Sequence, residues 1–232
     1  MKGKKILLGL TTTSRSDWRK KIKEIEFYNI KEIALFPTVL LPEERKELYQ
    51  LLEKSPVEKI TLVHLRSDME IWELDYLTER YKTEVFNIHP IKKHPLKHDY
   101  SKYADKIYIE NLTELPRIPN LKKFAGLCLD FSHWEDKAST IVDYDKEIRF
   151  LIKKFKTGCC HISVTKSYLQ KDPGRPGKFE CSSHWLDDLS ELNYIKKYLV
   201  FLPEIISIEL ENSFVEQLKA KKYLEKMINN QG

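Results

Sequence analysis

Glycine is scarce in this chain, with seven in 232 residues, and none falls into a G-x-G-x-x-G or G-x-x-x-x-G-K-[ST] spacing. Nucleotide binding through a Rossmann turn or a P-loop is thereby excluded as a leading idea. Cysteine is scarce as well: Cys128, Cys159, Cys160 and Cys181 form no C-x-x-C pair. A chain this long needs no disulfide to hold a core, so reduced thiols and a cytoplasmic location are expected. Long apolar runs are missing. The run Ile6-Leu7-Leu8-Gly9-Leu10 is too short for a signal-peptide core, and nothing later approaches the roughly 20 apolar residues of a membrane span. No strong excess of one charge is present either, since 40 Lys and Arg face 35 Asp and Glu for a net charge of +5. The lysines are dispersed, without a basic tail, which permits a phosphate-bearing partner without demanding one.

What the chain does have is alternation between two periods. Hydrophobic residues make up 41% and aromatics 11% of the sequence, ample for a core. Short β-rich runs occur at 5–10, 32–36, 59–64, 84–89, 106–110, 124–130, 159–165 and 205–210. Most are separated by stretches whose apolar residues fall three or four apart. One such stretch starts at Ser16 as N-cap and places Trp18, Ile22 and Ile25 on one face; another starts with Pro42 in its first turn. Further helices are predicted over 70–81, 140–155, 186–199 and 213–228. Eight strands alternating with helices in this length predict a single (β/α)8 TIM barrel over residues 1–232, with a doubly wound open sheet as the competing layout. The segment 170–183, carrying Asp172-Pro173-Gly174-Arg175-Pro176-Gly177, reads as a loop.

Barrels place their active sites at the carboxyl ends of the strands. Here those ends carry His64, His89, Glu110, Asp130 with His133, His161, and Glu209 with Glu211 close behind; His184 follows the Pro-Gly loop. One histidine or glutamate at a strand end is ordinarily a hydrogen-bonded bystander. Three carboxylates and five imidazoles together need compensation, and a divalent metal cluster supplies it. Two glutamates on one strand face leave the last ligand open between Glu209 and Glu211.

The order His, His, Glu, Asp-x-x-His, His, His, Glu resembles the xylose isomerase-like barrel superfamily. Within it the nearest likeness is to the endonuclease IV family of abasic-site nucleases (AP endonuclease family 2). The resemblance rests on Ile109-Glu110-Asn111, Leu129-Asp130-Phe131-Ser132-His133 and Ile208-Glu209-Leu210-Glu211, and runs from Ile6 to about Ile228. It implies that His64 and His89 bind a first metal and that Glu110 bridges to a second held by Asp130, His161 and Glu209. His133 and His184 would belong to a third. Zinc is the expected ion, with Mn or Mg as alternatives. The chain departs from the nuclease pattern at Ser182, where an aspartate completes the third site, and after His64, where Leu65-Arg66-Ser67-Asp68 brings no aromatic residue.

Two activities follow from the resemblance. A phosphoesterase would use the paired metals, with Arg66, Lys166 or Arg175 gripping phosphate oxygens. A sugar isomerase or epimerase would use Glu110 and Glu209 to move a proton, His133 to bind substrate, and Trp185, or Trp134, as an apolar wall. His64 and His89 favour the first, because an isomerase does not need them. A degenerate barrel that binds a metal or small ligand is the third reading. The expected partner is a small phosphorylated or sugar substrate, with weak nucleic-acid affinity and no obligatory protein partner.

Overall fold

The computed structural model describes residues 3–13, 15–171, 177 and 179–229. Eight parallel strands close into a barrel: β1 (Lys5–Thr11), β2 (Glu32–Phe36), β3 (Lys59–His64), β4 (Val85–Ile88), β5 (Ile107–Glu110), β6 (Gly126–Asp130), β7 (Thr157–Ile162) and β10 (Ile205–Ile208). Their order around the barrel is β1-β10-β7-β6-β5-β4-β3-β2. Closure excludes the doubly wound alternative. Within the barrel each strand has a neighbour on both sides.

Alternation along each strand explains where the core sits. Ile6, Leu8, Ile33, Leu35, Phe86, Ile88, Leu127 and Leu129 face the helices, while Leu7, Ala34, Phe36, Leu62, Val85, Tyr108, Cys128 and Cys159 form a second buried cluster. Two residues beyond Leu62, Tyr108, Cys128 and Cys159 stand His64, Glu110, Asp130 and His161. Residues two apart share one face of a strand. The apolar set therefore forms the floor on which the polar set stands.

The helices cover the outside. They are α1 (Trp18–Phe27), α2 (Pro42–Lys54), α3 (Ile71–Tyr81), the short α4 (Ile118–Leu121), α5 (Phe131–Ala138), α6 (Tyr144–Lys154) and α7 (Phe214–Asn229). Asp17, not Ser16, caps α1: its carboxylate accepts from the Lys20 N–H at 3.0 Å. α2 is tied to α3 by a buried fork in which Arg45 donates two 2.8 Å hydrogen bonds to Glu73, and the Tyr49 hydroxyl donates a third to the same carboxylate.

Four expectations are corrected here. The segment 186–199 forms 3₁₀ turns, Leu189–Lys197 and Leu199–Phe201, in place of an α-helix. The run 159–165 is broken between β7, in the barrel, and β8 (Val164–Lys171), outside it; β8 pairs antiparallel with β9 (Phe179–Ser183). The predicted loop over 170–183 is thus partly a hairpin, and its Arg175 lies outside the described residues. Finally, α5 was absent from the expected helices.

β1 pairs with β10 only from Lys5 to Leu7, so the backbone hydrogen-bond ladder between them has a gap above that point. Gln217 of α7, fully buried, fills the gap. The Gly9 N–H donates to its Oε1 at 2.8 Å, and its Nε2 lies 3.0–3.1 Å from the carbonyls of Gly9, Leu210 and Asn212. Gly9 must be glycine, since a Cβ there would stand 2.1 Å from the Ile208 carbonyl oxygen. Replacing Gln217 with Leu strands the Gly9 N–H in the core and should cost about 3 kcal/mol in urea unfolding, as buried unsatisfied groups do. A loss below about 0.5 kcal/mol would show that the amide does not hold the seam.

Candidate metal centre

The carboxyl ends of β3 to β7, and the residues just past β4 and β10, converge at one mouth. His64, His89 and Glu110 each offer one ligand atom within 4.8 Å of the others, and so do Asp130, His161 and Glu209. Glu110 joins two further groups, with Asp130 and His133, and with Cys128 and His161. The Glu110 carboxylate is the hub. Its Oε2 lies 3.2 Å from His64 Nε2 and 3.5 Å from His161 Nδ1, and it accepts a 2.8 Å hydrogen bond from Asn87 Nδ2. His161 Nδ1 lies 3.1 Å from Glu209 Oε2. The His64 ring stands 4.5 Å from that of His89 and 5.8 Å from that of His161.

Asp130 ends β6 and caps α5 at once. Its Oδ1 accepts from the His133 N–H at 2.8 Å and from the Ser132 hydroxyl at 2.7 Å. Its backbone is clamped by Asn111, whose Oδ1 accepts from the Asp130 N–H and whose Nδ2 donates to the Asp130 carbonyl. With Oδ1 so committed, Oδ2 makes no hydrogen bond. Nor do the buried His64 Nδ1, His133 Nδ1 and His161 Nε2. Buried polar atoms are rarely left this way, and nitrogen and carboxylate oxygen donors of this kind suit a divalent cation. The residues fit a metal centre.

The electrostatics agree. Burial pushes the Glu110 carboxyl up, but the imidazoles of His161, His64 and His89 outweigh it and hold the group well below the carboxylate range. Glu209 is likewise lowered, burial being overcome by His184 and His161. Burial works to lower His161, yet Glu110, Glu209 and Asp130 raise it to about 10. His89, buried beside His64, is pushed down to about 3.

The remaining predicted residues separate. Glu209 joins the centre, whereas the Glu211 carboxylate is taken by the Thr13 hydroxyl at 2.6 Å and Arg15 at 2.8 Å. His184 lies outside the ligand groups, its Nδ1 3.1 Å from the Glu209 carbonyl oxygen. Ser182 is buried and its hydroxyl has no partner. Lys166 is committed to Asp187 and Glu191, with 2.8 Å contacts to both, and Arg66 is paired with Asp68. Trp185 donates to Asp187 at 3.1 Å, and Trp134 is core, packed against Phe131, Tyr198 and Phe201. Asn87 and His94 escaped the sequence reading, and Asn111 was read only as part of the Ile109-Glu110-Asn111 motif, without a role. Asn87 carried a signal, since it stands two residues before His89 on the inward face.

The raised His161 has a consequence with a definite sign. Without a metal, its ion pairing stabilises the fold fully below about pH 6.5 and is lost as pH rises through about 10. A metal bound through His161 must displace that proton. Zinc titration calorimetry at pH 8, repeated in buffers of different ionisation enthalpy, should report about one proton released at His161. A binding enthalpy independent of the buffer would contradict this.

No protein-family profile and no curated protein matches the chain. Among solved structures, it is similar to the crystal structure of an IolI protein with a bound zinc atom, at 14% identity and a TM-score of 0.53, over 97% of this chain and 98% of that one. A xylose isomerase-like TIM barrel/4-hydroxyphenylpyruvate dioxygenase fusion protein also matches, at 13% identity and a TM-score of 0.47, over 91% of this chain and 39% of that one. The chain has the fold of a single closed (β/α)8 barrel, the fold it shares with the zinc-bound IolI protein.

Proposed function

We propose that the chain is a metal-dependent phosphoesterase with a dinuclear centre, zinc being the favoured ion. One observation carries the reading: the His64–His89–Glu110 group stands directly beside the Asp130–His161–Glu209 group, with Glu110 in contact with both. Two divalent cations held there would supply Lewis acidity to both the attacking and the departing oxygen of a phosphoester. The chain's own part is to fix that geometry. Asn87 holds Glu110 Oε2, and Asn111 holds the backbone of Asp130. The Asp130 cap sets His133, and with His184 that residue supplies the imidazoles left to contact phosphate. Arg66 and Lys166 are spent on carboxylates, so neither is assigned a phosphate oxygen.

The second reading is a sugar isomerase or epimerase. It is favoured by the disposition of Glu110 and Glu209, whose Oε2 atoms approach His161 Nδ1 at 3.5 and 3.1 Å, so that both carboxylates border one position. That arrangement needs Glu110, Asp130, His161 and Glu209 but not the two histidines before them.

The double variant His64→Ala/His89→Ala separates the two. After zinc or manganese loading, the phosphoesterase reading predicts a fall in phosphoester turnover of about 100-fold or more, the scale set by removing charge-stabilising groups. Bound metal should fall from two to one per chain. Aldose–ketose interconversion that survives the double variant would establish the isomerase instead.

A further inference from the structure

A cavity of about 270 Å³ opens beside His64 and His89. Three connections build it. Thr38 comes from the segment after β2, Leu65 to Ser67 from that after β3, and His94 and Leu96 from that after β4. It lies on the side of the centre away from Glu209, and nothing in the proposed chemistry uses it.

Its electrostatics decide what it suits. Among the lining residues Arg66 alone carries a permanent charge, and that charge is already matched. Arg66 Nε donates to Asp68 Oδ1 at 2.8 Å, Nη2 faces Asp68 Oδ2 at 3.3 Å, and Nη1 donates to the Thr38 carbonyl. Asp68 is in turn 3.5 Å from Arg45, which is anchored on Glu73. The guanidinium is thus a fixed strut between two walls and is not a free anion receptor. What the walls do leave open is neutral hydrogen-bonding capacity. Thr38 Oγ1 is buried without a partner. Ser67 contributes a hydroxyl, and His94, its ring 4.7 Å from that of His89, closes the rim. Leu65, Ile88 and Leu96 supply the apolar remainder.

We infer that this cavity is a specificity subsite for a neutral, hydroxyl-bearing group no larger than one sugar-sized moiety, namely the alcohol portion of the phosphoester. Thr38 and His94 are its recognising residues. The inference rests on the phosphoesterase reading for which part of the substrate lies where, but the cavity's preference follows from its own walls. Hydroxyl groups satisfy the open donors and acceptors, whereas a second phosphate would meet no unmatched cationic side chain. A volume below that of ordinary ligand pockets also limits the occupant to something small.

The test compares ribitol 5-phosphate, which has no carbonyl to isomerise, with methyl phosphate, which carries the same phosphate and no hydroxyls. Thr38→Val removes the hydroxyl while keeping shape and the carbonyl that holds Arg66, and Leu96→Trp fills the cavity. Binding to the zinc-loaded protein is followed by calorimetry alongside turnover. Each variant should weaken ribitol 5-phosphate about tenfold, the value of one good hydrogen bond, and leave methyl phosphate within about twofold. Ribitol 5-phosphate that binds with this pattern but is not hydrolysed would keep the subsite and remove the phosphoesterase reading. The subsite is overturned if the unmodified protein binds ribitol 5-phosphate no better than methyl phosphate, or if both probes lose affinity equally in the variants.

Discussion

The Glu110 carboxylate sets the terms for everything at the barrel mouth. It is almost wholly buried, and an ionised carboxylate taken out of water is costly unless positive charge and hydrogen bonds surround it. Asn87, His64 and His161 provide them from three different strands, β4, β3 and β7. None of these contacts is local in sequence. They exist because the strand registers put Asn87 beside His64 and Asp130 beside His161, and closure of the barrel faces them inward. The site is therefore a property of the closed sheet, and it cannot form in part.

The same geometry divides the labour along the barrel axis. Leu62, Tyr108, Cys128 and Cys159 supply apolar burial that holds the strands together, and the next inward residue of each strand supplies chemistry. Burial of the lower layer is worth about 1.5–3 kcal/mol per large side chain, which offsets the polar layer above it. The walls carry the remaining constraint. Arg45, bound to Glu73 and close to Asp68, carries order from the α2–α3 interface to Arg66, so the cavity beside His64 is shaped from the helix layer inward.

Much of this was legible in the sequence because barrel strands announce themselves twice, by apolar composition and by what terminates them. The eight strands and the residues His64, His89, Glu110, Asp130, His161 and Glu209 were read from strand ends, and the fold places them at one mouth. The choice of Glu209 over Glu211 was not decidable from alternation, since both share a face. In the fold Arg15 and Thr13, distant in sequence, take the Glu211 carboxylate, while Glu209 lies against His161. Helix α5 was hidden because Asp130 serves as strand end and helix cap together, and the motif around it read as ligands alone. The β8–β9 hairpin was missed for a different reason. Residues 167–169 are exposed in succession, so no alternation marked them, and the adjoining Pro-Gly run suggested a loop. Lys166 and Arg66 read as free cations because their partners Asp187, Glu191 and Asp68 become neighbours only through the fold or a local turn.

Crystals of the zinc-loaded protein, recorded at the zinc absorption edge, would test the central claim most directly. The account predicts two anomalous peaks about 3.5–4 Å apart, one against His64 and His89, the other against Asp130, His161 and Glu209, with Glu110 between them. A single peak on the Asp130 side, with His64 and His89 bare, would contradict a dinuclear centre.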